Sequence, residues 1–351
     1  MLAVAFSSCV GPADDSLPSG GVDEYVSELR PDNAGISAGV GLTRSTFGAA
    51  DPVTVTLTVR NTSPGAIQLL RWKGPEAQLE ESLFTITRDG APVQYIGPIY
   101  KRGTPDAEDY LSIAPGQAVS QEIALSGFYD FTQTGSYQVR YEVKDLAVTT
   151  SAGKKTGLLK SNDVTFWVEG RANVSPEPDS IIGGYTRCDS TQQGLLVQAA
   201  NQATTYATES LNYLSGSPSA TPRYVTWFGA YSSSGWNKAK NDYTAIKDAF
   251  VTKTLTFDCH CKQKNTYAYV YPTQPYTIYL CGVFWQVPVS GTDSKGGTLI
   301  HEMSHFNVTA STDDWAYGQS ACKSLALSNP TQALDNADSH EYFAENNPAL
   351  Q

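Results

Sequence analysis

Basic residues are scarce in this chain, histidines scarcer, and long apolar runs absent. Its 351 residues carry 24 Lys and Arg against 35 Asp and Glu, a formal net charge of −11. Sequence-independent binding of nucleic acid requires basic surface to neutralise phosphates, so that class of function is excluded. An acidic surface instead tolerates and mildly attracts cationic substrates. No run approaches the roughly 18 apolar residues that a membrane-spanning helix needs. The histidines are His260, His301, His305 and His340, so imidazole chemistry is confined to the C-terminal part. Cysteine is missing between Cys9 and Cys188. Setting Cys9 aside leaves an odd number, Cys188, Cys259, Cys261, Cys281 and Cys322. Cys259 and Cys261 sit too close to bridge each other in an extended strand, so each is expected to pair elsewhere. Two disulfides and one free, buried Cys322 suit an exported protein. The competing reading is a Cys/His metal site at Cys259, His260 and Cys261, although no second ligand pair at zinc spacing follows.

Export also agrees with the start of the chain. Met1 to Ser8 resembles the end of a secretory signal, and Ala5 to Cys9 loosely resembles a lipoprotein processing site with Cys9 as the acylated residue. Residues 1–33 therefore read as a signal remnant and flexible tether, rich in Pro, Gly, Ser and Asp. From Ile36 the pattern changes to short alternating runs: Ile36–Arg44, Val53–Arg60, Ala66–Trp72, Ser82–Thr87, Val93–Ile96, Val119–Leu125, Tyr137–Val143 and Asp163–Val168. Strict alternation, clearest from Val53 to Val59, is the period of a half-buried strand. Turn residues such as Asp89-Gly90 and Pro115-Gly116 separate the runs. So many short strands predict an all-β, immunoglobulin-like sandwich over 34–170. Gly135 to Tyr141 is similar to the tyrosine corner of such domains, and no catalytic cluster is visible in them. Residues 171–182 read as a linker and cleavage region, which makes the sandwich a propeptide if it is removed. The remainder, 183–351, predicts an α+β domain. Helices are expected over Thr191–Leu214 and Lys238–Phe250, and short strands over Leu255–Cys259, Tyr267–Tyr271 and Thr277–Cys281.

Function is concentrated in the segment Ser294 to Phe306, which contains His301-Glu302-Met303-Ser304-His305. Leu299, Ile300, Met303 and Phe306 recur at helical spacing, so this reads as a buried amphipathic helix whose N-cap is supplied by Gly291-Thr292-Asp293-Ser294. His301 and His305 fall one turn apart on one face, as two ligands of one metal ion must. Neutral imidazoles suit Zn2+, and Glu302 is set to one side as a general base for water. Gly296 and Gly297 in the first turns weaken the helix by about 1 kcal/mol each against Ala, which predicts a close backbone approach there. A third protein ligand is needed to leave one open position, and no His lies near enough. The carboxylates of Asp313 and Asp314 can double back onto the ion. Later, Asp338 and Glu341 fall three residues apart on one face of a helix expected to begin at Asn329-Pro330. Like charges at that spacing repel, so stability does not explain them, whereas a substrate ammonium between them does. His340 reads as structural.

Ser311-Thr312-Asp313-Asp314-Trp315-Ala316-Tyr317-Gly318, following the HExxH pentapeptide, resembles the Gly-Thr-x-Asp-x-x-Tyr-Gly motif of the aspzincin (deuterolysin-family) metallopeptidases, with Ser in place of the first Gly. The resemblance runs from about Thr186 to the C-terminus and is strongest to the peptidyl-Lys branch. It implies a zincin-type metalloendopeptidase domain with one Zn2+ per chain held by His301, His305 and Asp314. It also implies Glu302 as general base and Tyr317 as donor to the oxyanion. By the same resemblance Asp338 and Glu341 form a pocket for the lysine on the C-terminal side of the cut bond, and the disulfides are Cys188–Cys259 and Cys261–Cys281. The expected protein is a secreted, monomeric zymogen acting on Lys-containing proteins or peptides and inhibited by its own propeptide. The inhibitory lysine is expected first at Lys154 or Lys155, in a loop spanning Thr149–Gly157, then at Lys160 or Lys101. The alternative is an exported surface lipoprotein that binds a partner through its sandwich and carries an inactive peptidase-like half.

Overall fold

The computed structural model describes residues 35–48, 51–150, 153–169 and 184–351. The expected signal remnant and tether with Cys9, and the linker at 171–182, lie outside the described residues.

The N-terminal part is β-rich. Its strands are β1 (Ile36–Gly41), β2 (Thr46–Phe47), β3 (Thr54–Asn61), β4 (Ile67–Leu70), β5 (Phe84–Arg88), β6 (Ala91–Pro92), β7 (Ile99–Arg102), β8 (Tyr110–Ile113), β9 (Ala118–Ala124), β10 (Gly135–Thr150), β11 (Gly153–Lys160) and β12 (Val164–Val168). One sheet has the order β1-β3-β9, and the other runs β2-β12-β10-β4-β8 with β5 and β11 also paired to β10. Alternation puts Val55, Leu57 and Val59 of β3 and Tyr137, Val139 and Tyr141 of β10 into one apolar core. Burying such side chains contributes about 1.5–3 kcal/mol each, against the entropy of ordering the strands. The Tyr137 hydroxyl donates to the carbonyl of Gln133, 2.6 Å away.

Two local expectations for this part need correction. Val93–Ile96 is not a strand. It contributes only an isolated bridge from Tyr95 to Tyr129. The expected loop Thr149–Gly157 is instead the end of a long hairpin, with Thr149 opposite Lys154 and Val148 opposite Lys155. The ladder of backbone hydrogen bonds continues through polar residues there because pairing needs no apolar side chain.

The C-terminal part comprises β13 (Tyr185–Thr186), α1 (Ser190–Leu214), α2 (Pro222–Phe228), α3 (Ser233–Thr252), β14 (Thr256–Asp258), β15 (Thr266–Val270), β16 (Thr277–Leu280), α4 (Lys295–His305), α5 (Gln319–Ser328), α6 (Pro330–Ala333) and α7 (Ala337–Glu345). Asp189 and Gln192 form a capping box that starts α1, and Leu196, Ala199, Ala203 and Ala207 follow at helical spacing on its buried face. A second apolar core gathers these with Trp236, Tyr243 and Ile246 of α3 and with Leu299, Ile300 and Met303 of α4. Disulfides join Cys188 to Cys259 and Cys261 to Cys281, and Cys322 is buried and unpaired. A metal site at Cys259 and Cys261 is thereby ruled out, since both sulfurs are engaged. The helix expected to run on from Asn329 is broken, because α6 ends at Ala333 and α7 begins at Ala337.

The two parts share a sheet. Its order is β13-β14-β16-β15-β7, so the outer strand comes from the N-terminal part. β7 runs antiparallel to β15, with Ile99 opposite Val270, Tyr100 opposite Tyr269 and Lys101 opposite Ala268. An unpaired sheet edge is a template for a further strand, and β7 fills it.

Candidate active site

Every residue of α4 is buried. A helix with no solvent face cannot drift, which suits a position that must hold ligands within tenths of an ångström. Its start is fixed twice. The Ser294 hydroxyl accepts from the Gly297 amide at 3.0 Å, and Glu345 of α7 accepts from the Asp293 amide (3.1 Å) and from the Ser294 amide (2.8 Å) and hydroxyl (2.7 Å). Burial pushes the Glu345 carboxyl up to about 7. The glycines make room for neighbouring side chains, not for the backbone approach expected of them. A Cβ on Gly296 would meet Gln202 Cγ at 2.7 Å, and one on Gly297 would meet Glu345 Oε1 at 2.1 Å and Glu341 Oε1 at 2.9 Å. Gly297→Ala is therefore expected to destabilise the protein by about 1–3 kcal/mol, as overpacking does. A lowered melting temperature checks it, and an unchanged one removes this account of Gly297.

His301 and His305 face one another across a single turn, with Nε2 atoms 3.1 Å apart. Asp314 Oδ1 lies 3.4 Å from His301 Nε2 and 3.6 Å from His305 Nε2. Metal–ligand bonds of about 2.0–2.1 Å in a tetrahedron give edges of about 3.3–3.4 Å, so the three atoms are spaced as ligands of one ion. The far side of each ring sets its proton. His305 Nδ1 is 2.8 Å from the Thr312 carbonyl, which can only accept, and His301 Nδ1 is 2.8 Å from Asp338 Oδ1. Both Nδ1 atoms thus carry the hydrogen, and both Nε2 atoms present lone pairs. Asp314 Oδ1 has no hydrogen-bond partner. Three buried acceptors converging on one point with no donor are costly unless a cation sits there. Burial holds His301 well below the ordinary imidazole range and brings His305 down to about 4, so both rings are neutral at pH 7. Burial, with Asp338 adding to it, pushes Asp314 up to about 8. A divalent cation against its free oxygen offsets that cost. The donor set fits zinc.

Glu302 is fully buried, and neither carboxylate oxygen has a partner. Burial, then the charge of Asp314, pushes its carboxyl well above the usual range. Tyr317 places its hydroxyl 2.8 Å from Asp314 Oδ2 and 2.9 Å from the Tyr100 carbonyl, and can donate to one at a time. Asp313, the other carboxylate considered, is held by a backbone bridge to Asn336. Among the described residues it does not belong to a group that could share a metal with the imidazoles. His340 of α7 faces the Asn336 carbonyl (3.0 Å) and Asp242 (3.1 Å), away from this centre.

Asp338 and Glu341 enclose an ammonium. Lys101 of β7 puts its Nζ 2.8 Å from Asp338 Oδ1 and 2.5 Å from Glu341 Oε2, and all three side chains are almost completely buried. The Tyr267 ring lies 5.1 Å from the same Nζ, a cation–π distance. Burial alone would lower the Lys101 ammonium, but the two carboxylates outweigh it and hold it well above the ordinary value. Lys101 thus takes the position expected first of Lys154 or Lys155, which lie in the β10–β11 hairpin, while Lys160 pairs with Glu142 at 3.3 Å. Asp338 has a second task invisible to its spacing. The oxygen that accepts from Lys101 also accepts from His301 Nδ1, and its other oxygen accepts from the Gly318 amide at 2.7 Å. The Thr312 carbonyl leaves no sequence signal at all, because it acts through the backbone.

Residues 213–345 match the family model of the aspzincins, described as lysine-specific metallo-endopeptidase. The chain is 42% identical over 315 residues to an extracellular protease of Aeromonas hydrophila, covering 86% of this chain and 90% of that protein. It is 38% identical over 341 residues to a peptidyl-Lys metalloendopeptidase of Armillaria mellea, covering 90% of this chain and 94% of the other. A peptidyl-Lys metalloendopeptidase of Pleurotus ostreatus is 52% identical over 166 residues, which is 47% of this chain and 98% of that one. Identity of this extent, along nearly the whole length of the first two of these proteases, places the chain in the aspzincin family of zinc metalloendopeptidases.

Proposed function

We propose that the chain is a secreted, monomeric endopeptidase precursor with one zinc ion per chain, which cuts Xaa–Lys bonds so that lysine becomes the new N-terminus. The observation that carries this is Lys101, whose ammonium lies between Asp338 and Glu341 while the preceding carbonyl faces Tyr317. Two relatives named as peptidyl-Lys enzymes support it. One of them matches over a length close to that of the C-terminal part alone, which supports a precursor whose immunoglobulin-like N-terminal domain is removed.

His301, His305 and Asp314 would hold the zinc. When bound there, zinc supplies Lewis-acid polarisation of the scissile carbonyl and makes water a better nucleophile at neutral pH. Glu302, buried beside the ligands with neither oxygen engaged by another protein group, takes the proton of the attacking water and delivers it to the leaving amine. Tyr317 donates to the carbonyl oxygen as it gains charge. Asp338 and Glu341 receive the substrate ammonium, and Asp338 keeps the His301 ring and tautomer in place.

Separating those roles tests the reading. Glu341→Gln is expected to lower kcat/KM for Lys peptides by about 30-fold or more, as breaking a buried charge pair does, with zinc affinity little changed. Asp338→Asn is expected to do the same and also to weaken zinc binding by about 10–100-fold, as the loss of a group behind a metal ligand does. Peptide kinetics alongside a zinc-chelator competition read both. Equal effects of the two variants on zinc would remove the dual role of Asp338, and undiminished Lys preference in both would remove the pocket.

A further inference from the structure

We propose that the Tyr269–Tyr279 ring stack of β15 and β16 is the subsite for the residue that precedes the cut bond, and that it favours an aromatic side chain there. This rests on the function proposed above. With Lys101 in the acidic pair and the Tyr100 carbonyl against the Tyr317 hydroxyl, the Tyr100–Lys101 peptide lies where a substrate bond would lie. β7 is then a picture of bound substrate, and its register assigns the neighbouring positions. Tyr100 is directly opposite Tyr269, so the two side chains share a face of the sheet. Their ring centroids are 4.6 Å apart at an interplanar angle of 33°. Tyr269 in turn stacks on Tyr279 at 4.6 Å and 6°, and Tyr271 packs edge-on against both at 5.9 and 5.6 Å.

The platform belongs wholly to the C-terminal part. Tyr269, Tyr271 and Tyr279 are all half-buried, and departure of β7 strips Tyr269 of the ring that covers it. A rigid aromatic surface beside the reacting bond selects by stacking, and any ring offers a face. Ring pairs of this geometry gain enough beyond area burial to give about a tenfold preference. The bland account is that the tyrosines only strengthen pairing between β15 and β16. It explains the Tyr269–Tyr279 stack but predicts no substrate preference.

The test compares peptides differing only in the residue before lysine, Tyr–Lys, Phe–Lys, Ala–Lys and Glu–Lys, with kcat/KM read for each. Two preparations are used, the processed enzyme and the full-length chain carrying Lys101→Ala. Tyr–Lys and Phe–Lys are expected to exceed Ala–Lys by about tenfold. Tyr269→Val, which keeps a good strand former, is expected to bring them down to the Ala–Lys rate, and Tyr269→Phe to restore the difference. Equal rates for all four peptides in the unsubstituted enzyme overturn the subsite while leaving Lys specificity standing. A preference that survives Tyr269→Val overturns it as well. Failure of every preparation to cut any Xaa–Lys bond with zinc bound overturns the functional reading and this inference together.

Discussion

Glu302→Gln is expected to lower turnover on a Lys-containing peptide by about 10²–10⁴-fold, the range for loss of a positioned general base, while the protein still binds zinc. The second half of that expectation follows from geometry. Glu302 is not among the three residues whose donor atoms converge, so the ligands His301, His305 and Asp314 survive the change. The stability expectation is unusual for a buried substitution. No protein group hydrogen-bonds either Glu302 oxygen, and burial together with Asp314 opposes their charge. An isosteric neutral amide carries no charge for burial and Asp314 to oppose, so the melting temperature is expected to stay level or rise. Activity assays, zinc content and thermal melts read the three quantities. Retained proteolysis removes Glu302 from the mechanism, and lost zinc shows that it acts through the ligand set instead. A residue that weakens the fold it occupies is retained for chemistry, and this pairing of lost activity with unharmed stability is its signature.

Much of this centre was legible in the chain because its parts are local. A helical period fixes α4, the i, i+4 spacing fixes the two imidazoles on one face, and two glycines in the first turns mark the close approach of α1 at Gly296 and of α7 at Gly297. Asp338 and Glu341 were visible as an unexplained like-charge pair on one helical face. What escaped is non-local. β7 is only four residues between Pro98 and Gly103, and its partner β15 lies far along the chain in the other part. Alternation cannot reveal such a strand, because its pairing is decided by an open edge elsewhere, not by its own pattern. A neighbouring run, Val93–Ile96, has more apolar character and reads as the strand instead. The double use of one Asp338 oxygen, by His301 and by Lys101, is likewise a fact of three dimensions.

Lys101→Ala in the full-length chain is expected to raise activity on Lys peptides by roughly two to three orders of magnitude, on the expectation that the N-terminal part inhibits the C-terminal part. Breaking a buried ion pair by removing one partner costs about 3–5 kcal/mol, because the other charges are left buried and unpaired. Here the cost falls on the closed arrangement alone. When β7 leaves the β15 edge, Asp338 and Glu341 can meet water or a substrate ammonium, so the substitution shifts the balance between covered and open sites and leaves the open site intact. The segment is not loosely attached, which makes the lysine decisive. Arg102 is tied back to the N-terminal part by Glu80 at 2.6 Å and by the Trp72 ring at 4.1 Å, and Asn265 reaches Asp106 at 2.6 Å. These contacts remain in Lys101→Ala, and they carry less because the pairs are more exposed. Lys101→Arg keeps a cation but exchanges a compact ammonium for a planar fork, and is expected to give intermediate latency. Lys154→Ala together with Lys155→Ala is expected to change nothing, since the hairpin they occupy pairs along β10 and the acidic pair is already filled. Rates measured before any processing of the chain, with intact mass confirmed, decide the matter. Equal latency of Lys101→Ala and the unsubstituted chain would show that strand addition at β15, not the ammonium, keeps the site closed.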